Sequence, residues 1–358
     1  MRVVLMGTGP FAVPTFDQIV RDGHAIAVVV ARPPVPTSSG KAPPESPVIA
    51  WAKQAGLPLA TPDSINTDAS IQWLREQQAD LLVVCDYGQI LSRDALAAAR
   101  LGGINLHGSL LPRHRGAAPV QWSILSGDVQ AGVSVIHMTP QLDGGPVLTW
   151  AATPIAPGEN AGELEARLSQ LGVAPSMAAI AELAKSDHPE GVVQDPAQAT
   201  RAPRLKKSDG LLHLGYPVAW IDRQIRGLQP WPGVYTQFEF PDGKTLRAIV
   251  HQARPLPIDA SHLAGCTIGQ VLHGDALRQI LDRTAFATST LRPHLGLVAR
   301  DGLLLVDRLQ PAGKKPMAAE EFVRGYGRYA TWKAEVPADL HPLLDRMIAA
   351  FAKESSAS

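Results

Sequence analysis

A series of short apolar runs without polar alternation limits what this chain can fold into. They cover residues 2–6, 25–31, 81–85, 133–138 and 146–152, with a further strand at 103–107. Strands that do not alternate are buried on both faces, as in sheets covered by helices on each side. Helical spacing appears between them: Val13, Phe16, Ile19 and Val20 share a face that Gly23 closes. Ser46-Pro47 reads as an N-cap followed by an N1 proline, with Val48, Trp51 and Ala55 continuing to Gly56. A helix with Ile71 and Leu74 and helical stretches at 92–99, 118–126 and 160–184 complete the pattern. The expected fold class is α/β, a Rossmann-like, doubly wound and mostly parallel sheet.

The chain has 358 residues, which suits two domains. Beyond about residue 207 the style changes to segments rich in strand-forming residues, at 234–240, 246–250, 267–272 and 302–308, separated by turns such as Pro241-Asp242-Gly243. This part reads as a small barrel-like β domain. The expected layout is a catalytic domain at 1–188, a polar linker at 189–206, a barrel at 207–330 and a helical tail at 331–358, carrying Leu343, Leu344, Met347, Ile348 and Phe351. Formal net charge is zero, so a polyanion-binding surface must be local. Residues 201–330 hold 18 Lys and Arg against 11 Asp and Glu, a local excess that fits either a basic docking face or ordinary solvated charge. Cys85 and Cys266 form no CxxC, which argues against a disulfide scaffold or structural zinc and fits a reducing cytoplasm. The apolar start is too short for a signal peptide, and no apolar run is long enough for a membrane span. No metal is expected, since the histidines show no ligand spacing.

Gly7-Thr8-Gly9-Pro10-Phe11-Ala12 fits G-x-G-x-x-A between a strand and a helix, the context of a dinucleotide site, and Arg32 ends the second strand where an NADP site would welcome it. The same glycines equally suit a structural or substrate-lining turn, with Phe11 adding bulk where phosphate would approach.

The stretch from Gly103 to Pro119 carries the chemistry. Residues two apart in a strand share a face, so Asn105 and His107 are neighbours near a strand's carboxyl end, where open α/β sheets bind ligands. An amide beside an imidazole can hold a developing oxyanion and move a proton. Asp143, in the turn Gln141-Leu142-Asp143-Gly144-Gly145-Pro146, is the candidate to orient the imidazole. Spacing alone leaves open that Asn105 and His107 are satisfied core groups and that Asp-Gly-Gly is a plain turn.

These residues resemble the folate-dependent formyltransferases, most specifically those acting on an aminoacyl-tRNA. The resemblance rests on Asn105-x-His107 with Ser109-Leu110-Leu111-Pro112-Arg113-x-Arg115-Gly116-Ala117-Ala118-Pro119, and on Leu142-Asp143-x-Gly145-Pro146. Gln229-Pro230-Trp231-Pro232, the run from Leu309 to Met317, and Gly7-Thr8 with Phe11-Ala12-Val13-Pro14 add to it, so that it spans about 1–325. It implies a formyltransferase domain followed by an OB-like barrel, with 10-formyltetrahydrofolate as donor and the methionyl amine of initiator tRNA as acceptor. Asn105, His107 and Asp143 would be catalytic. Ser109, Leu110, Leu111 and Pro112 would line the folate site with Tyr87, Gly88, Gln89 and Ile90. Arg32, Lys41, Lys206, Lys207, Lys314 and Lys315 would contact tRNA, and the chain would act as a monomer. Departures are Gly9-Pro10 in place of the family's Pro-Asp/Glu, an insertion at 32–47 that keeps only Arg32 and Lys41, and Asp86 and Gln89 where small or apolar residues are usual. The competing readings are a sugar-nucleotide or other small-amine formyltransferase, an NADP-dependent oxidoreductase, and a non-catalytic RNA-binding protein.

Overall fold

The computed structural model describes residues 1–34, 44–186, 191–284, 293–327 and 332–334. They form two compact units, one of residues 1–123, 129–157 and 162–204, the other of 124–128, 158–161 and 205 onward.

In the first unit the apolar runs become β1 (Arg2–Gly7), β2 (Ala25–Val30), β3 (Leu59–Ala60), β4 (Leu81–Cys85), β5 (Gly103–His107), the short β6 (Arg115–Gly116), β7 (Gln130–His137) and β8 (Val147–Pro154). The main sheet has the order β3-β2-β1-β4-β5-β7-β8. β1 to β5 pair in parallel, whereas β7 and β8 are antiparallel, so the sheet is mixed. The connection at 138–146 is too short for a parallel crossover and makes β7 and β8 antiparallel neighbours. Val3, Val4, Leu5 and Met6 are wholly buried, as a strand covered on both faces requires.

The helices are α1 (Val13–Arg21), α2 (Pro47–Gln54), α3 (Asp68–Glu76), α4 (Arg93–Leu96), α5 (Pro119–Leu125), α6 (Ala161–Leu171) and α7 (Val173–Lys185). Ser46 caps α2 by accepting the Ile49 N–H, as its position before Pro47 predicts. Ile71, Leu74, Ala95 and Leu96 of α3 and α4 join Val4, Val28 and Val84 in one core. The single helical stretch expected at 160–184 is two helices, broken at Gly172. A Cβ there would lie 2.8 Å from a methyl of Leu106, so the break is where the helix pair closes against β5.

Residues 191–204, expected as linker, pack on the first unit. Arg201–Ala202 (β9) pairs in parallel with β6, and Val192 bridges Val147. The polar side chains that made this stretch look solvated, Gln194 and Thr200, bond inward to backbone groups.

The second unit is an antiparallel sheet of β10 (Val234–Glu239), β11 (Thr245–Pro257), β12 (Gln270–His273), β13 (Leu295–Ala299), β14 (Gly302–Pro311), β15 (Met317–Ala318) and β16 (Trp332–Ala334). β11 pairs first with β10 and then with β14, and its register shifts near Gln252 let it turn the corner that closes an OB-like barrel. Helices α8 (Val218–Gly227), α9 (Gly274–Leu281) and α10 (Ala319–Tyr326) accompany it. Phe238 and Phe322 meet in its core with ring centroids 5.3 Å apart. Trp332–Ala334 is a strand where a helical tail was expected, and residues 335–358, with the rest of that tail, lie outside the described residues. Among the described residues no helix is long and apolar enough to cross a membrane.

Candidate active site

Asn105 and His107 sit at the carboxyl end of β5, beside the point where strand order reverses between β1 and β4. His107 is buried, and its Nε2 lies 3.0 Å from the carbonyl oxygen of His114. A carbonyl only accepts, so this contact places the proton on Nε2 and leaves Nδ1 as the free ring nitrogen. Nδ1 is 3.8 Å from Asp143 Oδ2, which also accepts the Gly116 N–H at 2.8 Å. The structure thus brings together the three residues whose meeting spacing could not establish. It also changes the part His107 can play. With Nε2 engaged, the neutral imidazole is an acceptor at Nδ1 and becomes a donor there only when protonated.

Asp143 reaches His107 because its turn is unusually tight. Asp143 has φ +48°, in the left-handed region, and a Cβ on Gly145 would lie 1.8 Å from the carbonyl oxygen of His137. Only glycine fits that approach. The turn is held from outside. Gln194 donates from Nε2 to the carbonyls of Asp143 and Gly145 at 2.8 and 2.7 Å, and its Oε1 accepts from Arg115 Nε and Nη2 at 3.0 and 2.7 Å. Thr200 Oγ1 accepts the His114 N–H at 2.8 Å, and the Thr200 carbonyl accepts the Arg115 N–H at 2.9 Å. Sequence reasoning missed Gln194 and Thr200, which carry no periodicity and lie in a polar run.

Asn105, His107 and Asp143 line one cavity of about 510 Å³, a size suited to a small-molecule site. The loop 86–91 forms another wall and brings Tyr87, Gly88, Gln89 and Ile90 to it. Tyr87 is buried, its hydroxyl pushed up to about 12 by that burial and without a hydrogen-bond partner among the described residues. The Gln89 amide is engaged with the backbone of Ile65 and Asp63, at 3.0 and 2.9 Å, so this departure from the family pattern pins the 63–65 loop. Ser109, Leu110, Leu111 and Pro112 are not among the residues that line the cavity. The Ser109 hydroxyl donates to the Arg113 carbonyl, while Ser134 Oγ donates to the Ser109 carbonyl and accepts the Leu111 N–H, so this run shapes the turn after β5.

The glycine turn holds a carboxylate of its own. Asp86 accepts the Gly9 N–H, and a Cβ on Gly9 would lie 1.9 Å from Asp86 Oδ2. A Cβ on Gly7 would lie 2.8 Å from the Cys85 carbonyl oxygen, so the first glycine serves the packing of β1 on β4. The dinucleotide reading fails here, because the amide that would meet a pyrophosphate faces an acid instead. Burial raises Asp86, and burial together with the Asp86 charge raises Glu165, so the cavity also carries an acidic pair, with Arg204 in the same lining. Arg32 donates to the Gly88 carbonyl at 3.3 Å. Lys206, Lys207, Lys314 and Lys315 are exposed in the second unit, and Lys41 lies outside the described residues. Among the described residues no group of three or more His, Cys, Asp or Glu side chains is placed to hold a metal ion.

An open mixed sheet with Asn-x-His at a strand end and an acid on the facing turn, followed by an OB-like barrel, defines the class. The chain belongs to the formyl transferase family: the formyl transferase domain matches residues 1–180 and the formyl transferase C-terminal domain residues 204–327. Within it, the chain is 46% identical to the methionyl-tRNA formyltransferase of Rhodopirellula baltica, over 91% of this chain and 94% of that one. It is 37% identical to the methionyl-tRNA formyltransferase of Moorella thermoacetica, over 91% and 96%. Among solved structures, the N-formyltransferase of Helicobacter canadensis, in complex with folinic acid and dTDP-3-aminofucose, shares the fold with a TM-score of 0.58 at 13% identity, covering 86% of this chain and 98% of that one. HypX of Aquifex aeolicus in complex with tetrahydrofolic acid superposes with a TM-score of 0.55 at 11% identity, covering 90% of this chain and 47% of that one.

Proposed function

We propose that this enzyme transfers the formyl group of 10-formyltetrahydrofolate to the α-amine of methionyl initiator tRNA. The observation that carries the reading is the 46% identity to a methionyl-tRNA formyltransferase over nearly the full length of both chains. The cavity at Asn105, His107 and Asp143 supports it by offering an amide donor, a ring nitrogen and a carboxylate to one space.

The amine's nitrogen forms a bond to the formyl carbon, and negative charge develops on the formyl oxygen. Asn105 donates to that oxygen, a contact worth roughly 3–4 kcal/mol in the transition state. His107 accepts the ammonium proton at Nδ1, and Asp143 stabilises the resulting imidazolium. Protonated at Nδ1, His107 becomes a second donor to the oxyanion and a proton source for the folate nitrogen as its bond to the formyl carbon breaks. Lys206, Lys207, Lys314 and Lys315 are assigned to tRNA phosphates, where counterion release makes binding fall with salt.

The test uses purified protein, 10-formyltetrahydrofolate and charged initiator tRNA, scored for formylmethionyl product, with a 4-amino sugar nucleotide in parallel. Product from the tRNA alone is expected. Formylation of the sugar nucleotide without the tRNA would overturn the assignment of the acceptor.

A further inference from the structure

We propose that Gln194 and Thr200 are positioning residues for the reaction, a strap that holds Asp143 and His107 in register from outside the cavity. The inference rests on the functional reading above and assigns a role to a segment that looks like a linker.

Gln194 is 8% exposed, and its amide is fully used. A primary amide has two donor hydrogens and an oxygen with two lone pairs. Both donors go to carbonyls of the catalytic turn, and the oxygen takes two donors from one edge of Arg115. The reverse orientation of the amide would set its hydrogens against the guanidinium, so the orientation follows from the partners.

Thr200 acts on the other half of the site. It fixes His114 through the backbone N–H, and the carbonyl of His114 fixes His107 Nε2. Asp143 and His114 both have positive φ, +48° and +60°. Neither is glycine, and each such conformation costs on the order of 1–2 kcal/mol and persists only where surrounding structure imposes it. One segment, Gln194 to Thr200, supplies direct hydrogen bonds to both strained residues. Arg115 links the two ends, since it bonds to Gln194 through its side chain and to Thr200 through its backbone. The relative placement of the Asp143 carboxylate and the His107 ring therefore depends on this strap.

The test uses the full chain in single-turnover formylation with enzyme in excess for the rate of transfer, and in steady-state formylation for KM. Gln194→Glu keeps the shape and the contact to Arg115 but cannot donate to the Asp143 and Gly145 carbonyls. Turnover should fall about 10- to 100-fold, the loss that a displacement near 1 Å produces, while KM for both substrates stays within about twofold. In an Asp143→Ala background the same substitution should cost less than about twofold, because the residue it positions is gone. Equal losses in both backgrounds, unchanged turnover, or an effect on KM alone would overturn the proposal. Thr200→Val and Thr200→Ser decide the matter independently should Gln194→Glu not fold: valine should lose turnover and serine, which keeps the hydroxyl, should restore it. Two active Thr200 variants of equal rate would also overturn the proposal. If the unsubstituted enzyme formylates tRNA and the variants match it, this inference fails and the functional reading stands. If the unsubstituted enzyme forms no product, the functional reading is what fails.

Discussion

Replacing Gly145 by alanine puts one methyl group into the tightest point of the turn that carries Asp143. The added Cβ would lie 1.8 Å from the carbonyl oxygen of His137, and real Cβ contacts essentially never fall below 3.0 Å. The obstacle is backbone, and the His137 N–H is itself bonded to the Pro146 carbonyl at 3.0 Å, so neither side can swing away. The turn must then shift by at least the difference, about 1.2 Å. Asp143, two residues earlier, moves with it, and a misplacement of that size costs about 100-fold in turnover. The strain should also cost roughly 1–3 kcal/mol of stability. Gly144→Ala is the internal control: the nearest atoms to its Cβ belong to the side chain of Gln141, an exposed residue that can rotate, and turnover should stay within about threefold. The assay is steady-state formylation with thermal unfolding of each variant alongside. A folded Gly145→Ala enzyme with near-normal turnover, or equal damage from both alanines, would refute the placement of Asp143.

Asp86→Asn should raise the unfolding midpoint at neutral pH. Burial raises the Asp86 carboxyl, so the folded state disfavours its charge, and the penalty grows as pH rises from the unfolded value near 3.8 through the higher folded value. The gain should fade as pH falls below the unfolded value near 3.8, and a gain independent of pH would contradict the cause given. In the barrel, Arg254 pairs with Asp307 through two bonds of 2.8 and 2.7 Å between β11 and β14. Arg254→Met should cost about 1 kcal/mol by denaturant titration, since both groups remain partly solvated, and a neutral effect would show that the closure does not need the pair. Lys314→Ala combined with Lys315→Ala should lower the slope of log affinity for tRNA against log salt by about 2. An unchanged slope would remove these lysines from the phosphate contacts.

What the sequence disclosed followed physical type. β4 is readable to the residue because burial on both faces leaves an unbroken apolar run that Asp86 ends, whereas β5 alternates apolar Ile104 and Leu106 with polar Asn105 and His107. Asn105 and His107 follow from the two-residue period of that strand. Asp143 was visible as a turn residue, but its meeting with His107 depends on a left-handed backbone and a glycine contact across the turn, which spacing does not encode. The first glycines misled because a turn that needs room for the Asp86 carboxylate and one that needs room for a phosphate demand the same residue. Gln194 and Thr200 were hidden for a related reason: a polar side chain that bonds inward to a backbone carbonyl or N–H has the same composition as one facing water. The backbone of Ser109 and Leu111 is held by Ser134, a contact across 23 to 25 residues that the motif does not encode.

The proposed role of Asn105 and His107 in stabilising charge on the formyl oxygen is tested by the single-turnover rate of Asn105→Ala and His107→Ala with 10-formyltetrahydrofolate and charged initiator tRNA. Each variant should fold as the unsubstituted enzyme does, bind both substrates, and transfer the formyl group about 100-fold more slowly or worse. Transfer within a few-fold of the unsubstituted rate by either variant would contradict the claim.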